Sequence, residues 1–177
     1  MSGRSLTGIL LVGGASTRFG SPKALAHVGG ETLADRAWRL LGESCSERIA
    51  VGKRADGLEL LFEVLDDGTD VRAPIAGVVA GLRAARYDVV VVVPVDVPRL
   101  TRDALHELAA ACRDVAVPLS GPLPGAYRQS ALPALERALA EGRLSLRAAI
   151  AGLDVATVAL DATLLININT ADDVRSL

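Results

Sequence analysis

Apolar residues along the chain fall into two kinds of run, and the two kinds alternate. Leu6–Val12 is a short, nearly continuous apolar run closed by Gly13-Gly14, as expected for a strand covered on both faces. Val89–Val93 is five valines in succession and carries the strongest strand signal in the chain. Arg48–Val51, Glu63–Leu65, Val115–Val117 and Asp154–Leu160 read as further short strands, and Leu164–Ile168 as a last one. Between them the spacing becomes helical. Thr32–Leu41 places Leu33, Ala37, Leu40 and Leu41 on one face, and Pro74–Ala85 starts on a proline, which suits a first helical turn. Thr101 caps a helix reaching Cys112; Ser130–Glu141 and Ser145–Ala151 are helices parted by Gly142, and Thr170 caps a terminal one. Ser120–Arg128 is a Pro/Gly-rich loop with a short strand at Ala126-Tyr127. Alternating strands and helices predict an α/β fold with a mainly parallel sheet. No linker, repeat or low-complexity tract divides residues 1–177, so a single domain is expected.

Composition sharpens this picture. Half of the 177 residues are hydrophobic but only 3% are aromatic, so aliphatic side chains must fill the core. A net charge of −2 argues against a dedicated nucleic-acid binder. Cys45 and Cys112 make no disulfide framework, and no apolar run is long enough to span a membrane, so a soluble cytoplasmic protein is expected. Of 19 basic residues only two are lysines, Lys23 and Lys53, which makes each of them a candidate for a role that arginine does not fill.

Two places carry candidate chemistry, and both fall after strands, where open α/β sheets bind ligands. The first is the loop Gly13-Gly14-Ala15-Ser16-Thr17-Arg18-Phe19-Gly20-Ser21-Pro22-Lys23. It fits neither the Walker loop nor the dinucleotide fingerprint. Its small residues nevertheless let backbone N–H groups approach an anion, Ser16 and Thr17 add hydroxyls, and Arg18 and Lys23 add two cations, a composition suited to phosphate. The second is Pro94-Val95-Asp96-Val97-Pro98, where prolines stop the valine strand and leave one carboxylate at its end. Magnesium takes few protein ligands and fills its shell with phosphate oxygens and water, so one such Asp suffices. Asp66 or Asp67 could close the site from a neighbouring strand, hold a ribose hydroxyl, or simply form a turn.

These residues resemble a known family. The loop from Leu11 to Lys23 is similar to the Leu-x-Gly-Gly-x-Ser-x-Arg-Met-Gly-x-x-Lys signature of the molybdenum cofactor guanylyltransferases of the MobA type. Three later segments follow in the family's order: Asp66 with Pro74-Ile75-Ala76-Gly77, Pro94–Pro98, and Asn167-Ile168-Asn169-Thr170-Ala171-Asp172-Asp173. Counting eight residues back from Pro74 selects Asp66 as the family's aspartate. Phe19 replaces the usual Met, Ala73 a Gly, and Pro22 stands where the guanylyl enzymes commonly carry Asp.

The resemblance implies a Rossmann-like three-layer α/β/α fold and transfer of GMP from GTP to molybdopterin or its molybdenum-loaded form, with Mg2+, releasing pyrophosphate. It implies catalytic roles for Arg18, Lys23 and Asp96, with Asp96 the metal ligand. It assigns nucleotide and substrate binding to Leu11, Gly13, Gly14, Ser16, Lys23, Asp66, Asp96, Asn167 and Asn169. Partners would be GTP, the pterin substrate and other molybdenum cofactor proteins, with no nucleic acid and no membrane. Tyr127-Arg128 would meet the pterin side. Pro22 keeps a cytidylyltransferase acting on molybdopterin open, alongside a small sugar-phosphate nucleotidyltransferase; a silent nucleotide-binding assembly protein is the rival from another class.

Overall fold

The computed structural model describes residues 5–13, 22–170 and 173. Strands β1 (Leu6–Leu11), β4 (Glu47–Gly52), β5 (Val64–Asp66), β6 (Val89–Pro94), β7 (Val115–Pro118), β8 (Gly125–Arg128) and β9 (Val155–Val158) form one seven-stranded sheet in the order β5-β4-β1-β6-β8-β7-β9. A two-residue hairpin, β2 (His27–Val28) and β3 (Glu31–Thr32), stands apart from it. All pairings in the large sheet are parallel except those of β8, which runs antiparallel to both β6 and β7.

Helices cover both faces, giving the expected three layers. The helices α1 (Leu33–Ser44) and α3 (Arg102–Ala111) pack on one face, and α2 (Pro74–Ala84), α4 (Leu132–Ala140) and α5 (Leu146–Ile150) on the other. The valine strand shows how the sheet divides the core. Val89, Val91 and Val93 join the cluster under α1 and α3, while Val90 and Val92 join the one under α2 and α4, because successive side chains on a strand point to opposite faces. A strand apolar at every position is therefore buried twice over.

Helix caps expected at Thr101 and Ser145 are made, and Thr32 makes a further one: Thr32, Thr101 and Ser145 accept hydrogen bonds from the backbone N–H groups of Asp35, Ala104 and Ala148 at 3.0, 3.3 and 3.3 Å. Helix α2 is buried on every side from Ile75 to Leu82. A Cβ on Gly77 would stand 2.8 Å from Leu11 Cδ2, so the missing side chain lets α2 lie close against β1.

The structure departs from the expectations in three places. The strand expected at Ala126-Tyr127 runs longer, as β8 (Gly125–Arg128), and lies inside the sheet; a Cβ on Gly125 would stand 2.6 Å from the Pro122 carbonyl oxygen, so its place as a strand residue rests on close approach rather than on β propensity. Residues 164–168 do not pair as a strand. Ala162–Leu165 is a 3-10 turn capped by Asp161, and the chain after it is extended but unpaired. The hairpin β2–β3 was unforeseen; Gly29 and Gly30, at φ of 59° and 90°, make its turn. The terminal helix expected after Thr170 lies outside the described residues, although Thr170 Oγ1 accepts from Asp173 N–H at 3.2 Å as a cap would.

Candidate functional site

At the carboxyl ends of β4, β1 and β6 the sheet opens into a cavity of about 340 Å³. The strand order places it at the switch point, since β1 is flanked by β4 on one side and β6 on the other. Its walls are largely apolar, from Leu11, Val51, Val71, Ala73, Pro74 and Leu123, with Gly13, Gly52 and Gly77 leaving room. Charged groups enter it as three oppositely charged pairs: Lys23 with Asp96, Lys53 with Asp67, and Arg72 with Asp56.

Asp96 is held from three directions. Val95 N–H donates to the Leu11 carbonyl at 3.2 Å, Ile168 N–H donates to the Asp96 carbonyl at 2.9 Å, and Arg36 Nε donates to the Pro98 carbonyl at 2.7 Å. Prolines at both ends of the segment fix its φ angles, so the carboxylate sits on a rigid turn. Lys23 begins a short 3-10 turn whose Ala24 is buried. Its Nζ donates to Asp96 Oδ2 at 3.3 Å and to Asn169 Oδ1 at 3.0 Å. Asn167 and Asn169 are both exposed and flank Ile168, which is 1% exposed and packed in the core. The buried isoleucine anchors the segment, and extended geometry turns both amides outward. Residues 23, 96 and 169, far apart in sequence, thus meet at one point.

The other end of the cavity lies beyond β4. Lys53 Nζ donates to Asp67 Oδ1 and Oδ2 at 2.8 and 2.9 Å and to the Thr69 carbonyl at 2.6 Å. An ammonium has three N–H donors, so this one is fully used. Asp67 lines the cavity, whereas Asp66 does not. The Asp66 carboxylate accepts from the backbone N–H groups of Arg54 and Gly68 at 2.7 and 2.8 Å, and these donors hold it below the usual carboxylate range. Asp66 is exposed to solvent. Sequence reasoning passed over Asp56 and Arg72; it flagged Lys53 only by the scarcity of lysine and left Asp67 as the alternative to Asp66.

Of the residues singled out from sequence, Leu11, Gly13, Lys23 and Asp96 line the cavity, and Asn169 reaches it through Lys23. Gly14, Ser16, Thr17 and Arg18 lie outside the described residues. Tyr127 is wholly buried and donates its hydroxyl to the Pro122 carbonyl at 2.7 Å; burial pushes its phenol well up. Arg128 pairs with Asp88. Because β8 runs backwards, Arg128 lies opposite Val89, at the far end of the sheet from the cavity, so neither residue meets a ligand there. Trp38 stacks on Phe62 with ring centroids 4.3 Å apart, and His106 contacts the Ser44 carbonyl, both in packing roles. Burial pushes the Cys45 and Cys112 thiols up to about 12 and about 11, which keeps them protonated and unreactive. Among the described residues no helix is long and apolar enough to cross a membrane.

The family model of the MobA-like NTP transferase domain matches residues 8–157. A probable molybdenum cofactor guanylyltransferase of Chloroflexus aggregans is 31% identical over an alignment covering 96% of this chain and 92% of that protein. One from Opitutus terrae is 34% identical, covering 84% and 79%. Among solved structures, the molybdopterin-guanine dinucleotide biosynthesis protein A of Archaeoglobus fulgidus matches with a TM-score of 0.81 at 25% identity, covering 96% of this chain and 95% of that one.

Proposed function

The chain belongs to the MobA-like NTP transferase family, and from that premise we propose that it transfers GMP from GTP to the terminal phosphate of molybdopterin, forming the guanine dinucleotide cofactor and releasing pyrophosphate. The observation that carries this reading is the meeting of Lys23, Asp96 and Asn169 at the mouth of the switch-point cavity. In the reaction a phosphate oxygen of the pterin attacks the α-phosphorus of GTP in line. The bond from that phosphorus to the β-phosphate bridge oxygen breaks, and pyrophosphate leaves with the electron pair. A phosphate monoester is ionised near neutral pH, so no general base is required; positioning and charge stabilisation carry the rate.

Lys23, with Arg18 from the preceding loop, holds the triphosphate and meets the charge growing on the departing pyrophosphate. Gly13, which lines the cavity, binds the nucleotide together with Gly14 and Ser16 of the same glycine-rich loop. Asn167 and Asn169 face outward to hydrogen-bond the pterin, and Asn169, bonded to Lys23, links the acceptor end to the triphosphate end. Asp96 suits magnesium: it is a hard carboxylate at the cavity wall, 22% exposed, on a rigid turn. When bound, the metal supplies Lewis-acid stabilisation of the phosphoryl oxygens. The role expected of Asp66 passes to Asp67 in this reading, because it is the Asp67 carboxylate that lines the cavity. Residues 1–177 act as one nucleotidyltransferase unit in a reducing cytoplasm, which suits two protonated buried thiols.

The test is thermal stabilisation by GTP, CTP, ATP and UTP, each with magnesium, followed by turnover with molybdopterin. GTP at about 100 times its Kd adds about 2.7 kcal/mol of stability, and GTP outcompetes CTP by at least about tenfold. A preference for CTP in both binding and turnover assigns the protein to cytidylyl transfer instead.

A further inference from the structure

Resting on the guanylyl reading above, we propose that Asp56 and Arg72 form the base-reading edge of the cavity and select guanine. Both line the cavity, and Arg72 Nη2 donates to Asp56 Oδ1 at 2.9 Å. Asp56 ends the short 3-10 turn after β4, and Arg72 precedes α2, so the pair bridges two walls. Among the described residues Arg72 is the sole hydrogen-bond partner of the Asp56 carboxylate. Its second oxygen, Oδ2, stands 3.7 Å from where a Cβ on Gly13 would sit. That oxygen therefore faces the cavity at a spot where the chain carries no side chain.

The neighbouring pair does not suit this task. Every N–H of Lys53 is taken by Asp67 and Thr69, and Asp67 already accepts from Lys53 at both oxygens and from Thr69 N–H at Oδ1, so this pair has no donor to offer a base edge. Asp56 and Arg72 keep capacity: a carboxylate oxygen accepts more than one hydrogen bond, and a guanidinium carries five donors. Position also fits. The turn after β4 and the Asp96 turn after β6 are separated by β1, two strand spacings or about 10 Å, an interval a nucleoside monophosphate bridges. With its α-phosphate at Lys23 and Asp96, the base lies between the apolar walls and points its outer edge at Asp56 and Arg72.

Guanine is the base whose edge matches. Its N1–H and N2–H groups are adjacent donors for the two carboxylate oxygens, and its O6 accepts from the guanidinium beside them. Cytosine would set the lone pairs of N3 and O2 against the carboxylate. Uracil has one ring N–H between two carbonyls, and adenine has an acceptor at N1. The pair thus selects by repulsion of the wrong bases as well as attraction of the right one.

Calorimetric binding of GTP, ITP, XTP and CTP, each with magnesium, tests this without the pterin. ITP lacks the 2-amino group, and XTP replaces it with a carbonyl. The wild type binds GTP roughly 10- to 100-fold tighter than ITP or XTP, the scale of one good bidentate contact. Asp56→Asn, whose amide donates where the carboxylate accepted, reverses the order and binds XTP more tightly than GTP. That gain cannot come from a damaged fold. Arg72→Met supplies a second arm should Asp56→Asn fail to fold: it narrows the preference for GTP over 2-aminopurine riboside triphosphate, which lacks both O6 and the N1–H, to the share that the N1–H alone supplies through Asp56. An Asp56→Asn protein that melts like wild type yet keeps the wild-type GTP-to-XTP ratio overturns the inference, as does an Arg72→Met protein that keeps its O6 discrimination. Wild type that binds CTP more tightly than GTP overturns the guanylyl reading itself.

Discussion

Two lysine–aspartate pairs stand in one cavity and differ in how tightly they are closed. Lys53 and Asp67 have side chains 11% and 7% exposed and make two contacts with each other at 2.8 and 2.9 Å. Lys23 and Asp96 are 20% and 22% exposed, and their contact is one of 3.3 Å. In the first pair every N–H of the lysine is taken, and it ties the loop at Thr69 back to β4. The second is partly solvated and sits where a phosphate can compete for the lysine and a metal for the carboxylate. In the proposed reading, identical residue types divide between holding the wall of the site and acting in it, and burial with saturation of the lysine separates the two.

The largest expected effect lies at the open pair. Asp96→Asn keeps the shape of the side chain but removes its charge, and turnover falls by about 10²–10³-fold with a higher magnesium requirement. Lys23→Ala lowers turnover on the same scale, mainly through weaker GTP binding, which calorimetry reads directly. Both proteins melt near wild type. If Asp96→Asn instead unfolds the protein at unchanged activity per folded molecule, the two pairs are alike and Asp96 is structural.

At the closed pair the loss is in stability. Lys53→Met strands a buried carboxylate and costs about 3 kcal/mol in urea unfolding, and adding Asp67→Leu recovers most of it, because an apolar replacement of both partners removes the desolvation cost. A Lys53→Met protein of wild-type stability would erase the contrast. A smaller effect is expected at Asn169, where Ala raises the KM for the pterin acceptor about tenfold, or ~1.4 kcal/mol, with GTP affinity nearly unchanged. A loss of melting temperature without a change in acceptor KM would reduce Asn169 to a cap.

The smallest effect concerns the solvent-exposed Asp66. Its carboxylate is held below its ordinary value of 3.8, chiefly by the backbone N–H of Arg54 and then by that of Gly68. The folded state binds the charged form better, so the support is present above the unfolded pKa and is lost as pH falls through the depressed folded value. Asp66→Asn accordingly flattens the acid limb of the stability curve below about pH 4 and leaves turnover at neutral pH unchanged. A collapse of turnover in that variant would place Asp66, not Asp67, in the site.

Local sequence settled whatever depends on neighbours along the chain. The alternation of apolar runs determined the α/β class, the valine run determined a doubly buried central strand, and Thr101 and Ser145 determined two helix starts. The prolines around Asp96 determined that a carboxylate would end that strand, and Asn167–Asn169 declared two outward amides around a buried Ile168. The tertiary structure decided what depends on pairing. Gly125–Arg128 becomes an interior strand because β6 and β7 both pair with it, in a direction no local signal encodes, and that direction carries Arg128 away from the cavity. Whether Asp66 or Asp67 turns inward is set by the register of β5 on β4, where Gly52 stands opposite Asp66 and the Gly52 carbonyl accepts from Asp67 N–H at 3.0 Å. With a side-chain period of two, one residue of register exchanges the inward position for the outward one. The scarcity of lysine marked Lys53 without giving it a partner, and nothing local marked Arg72; only the folded chain supplied the carboxylates that make one a clamp and give the other an edge.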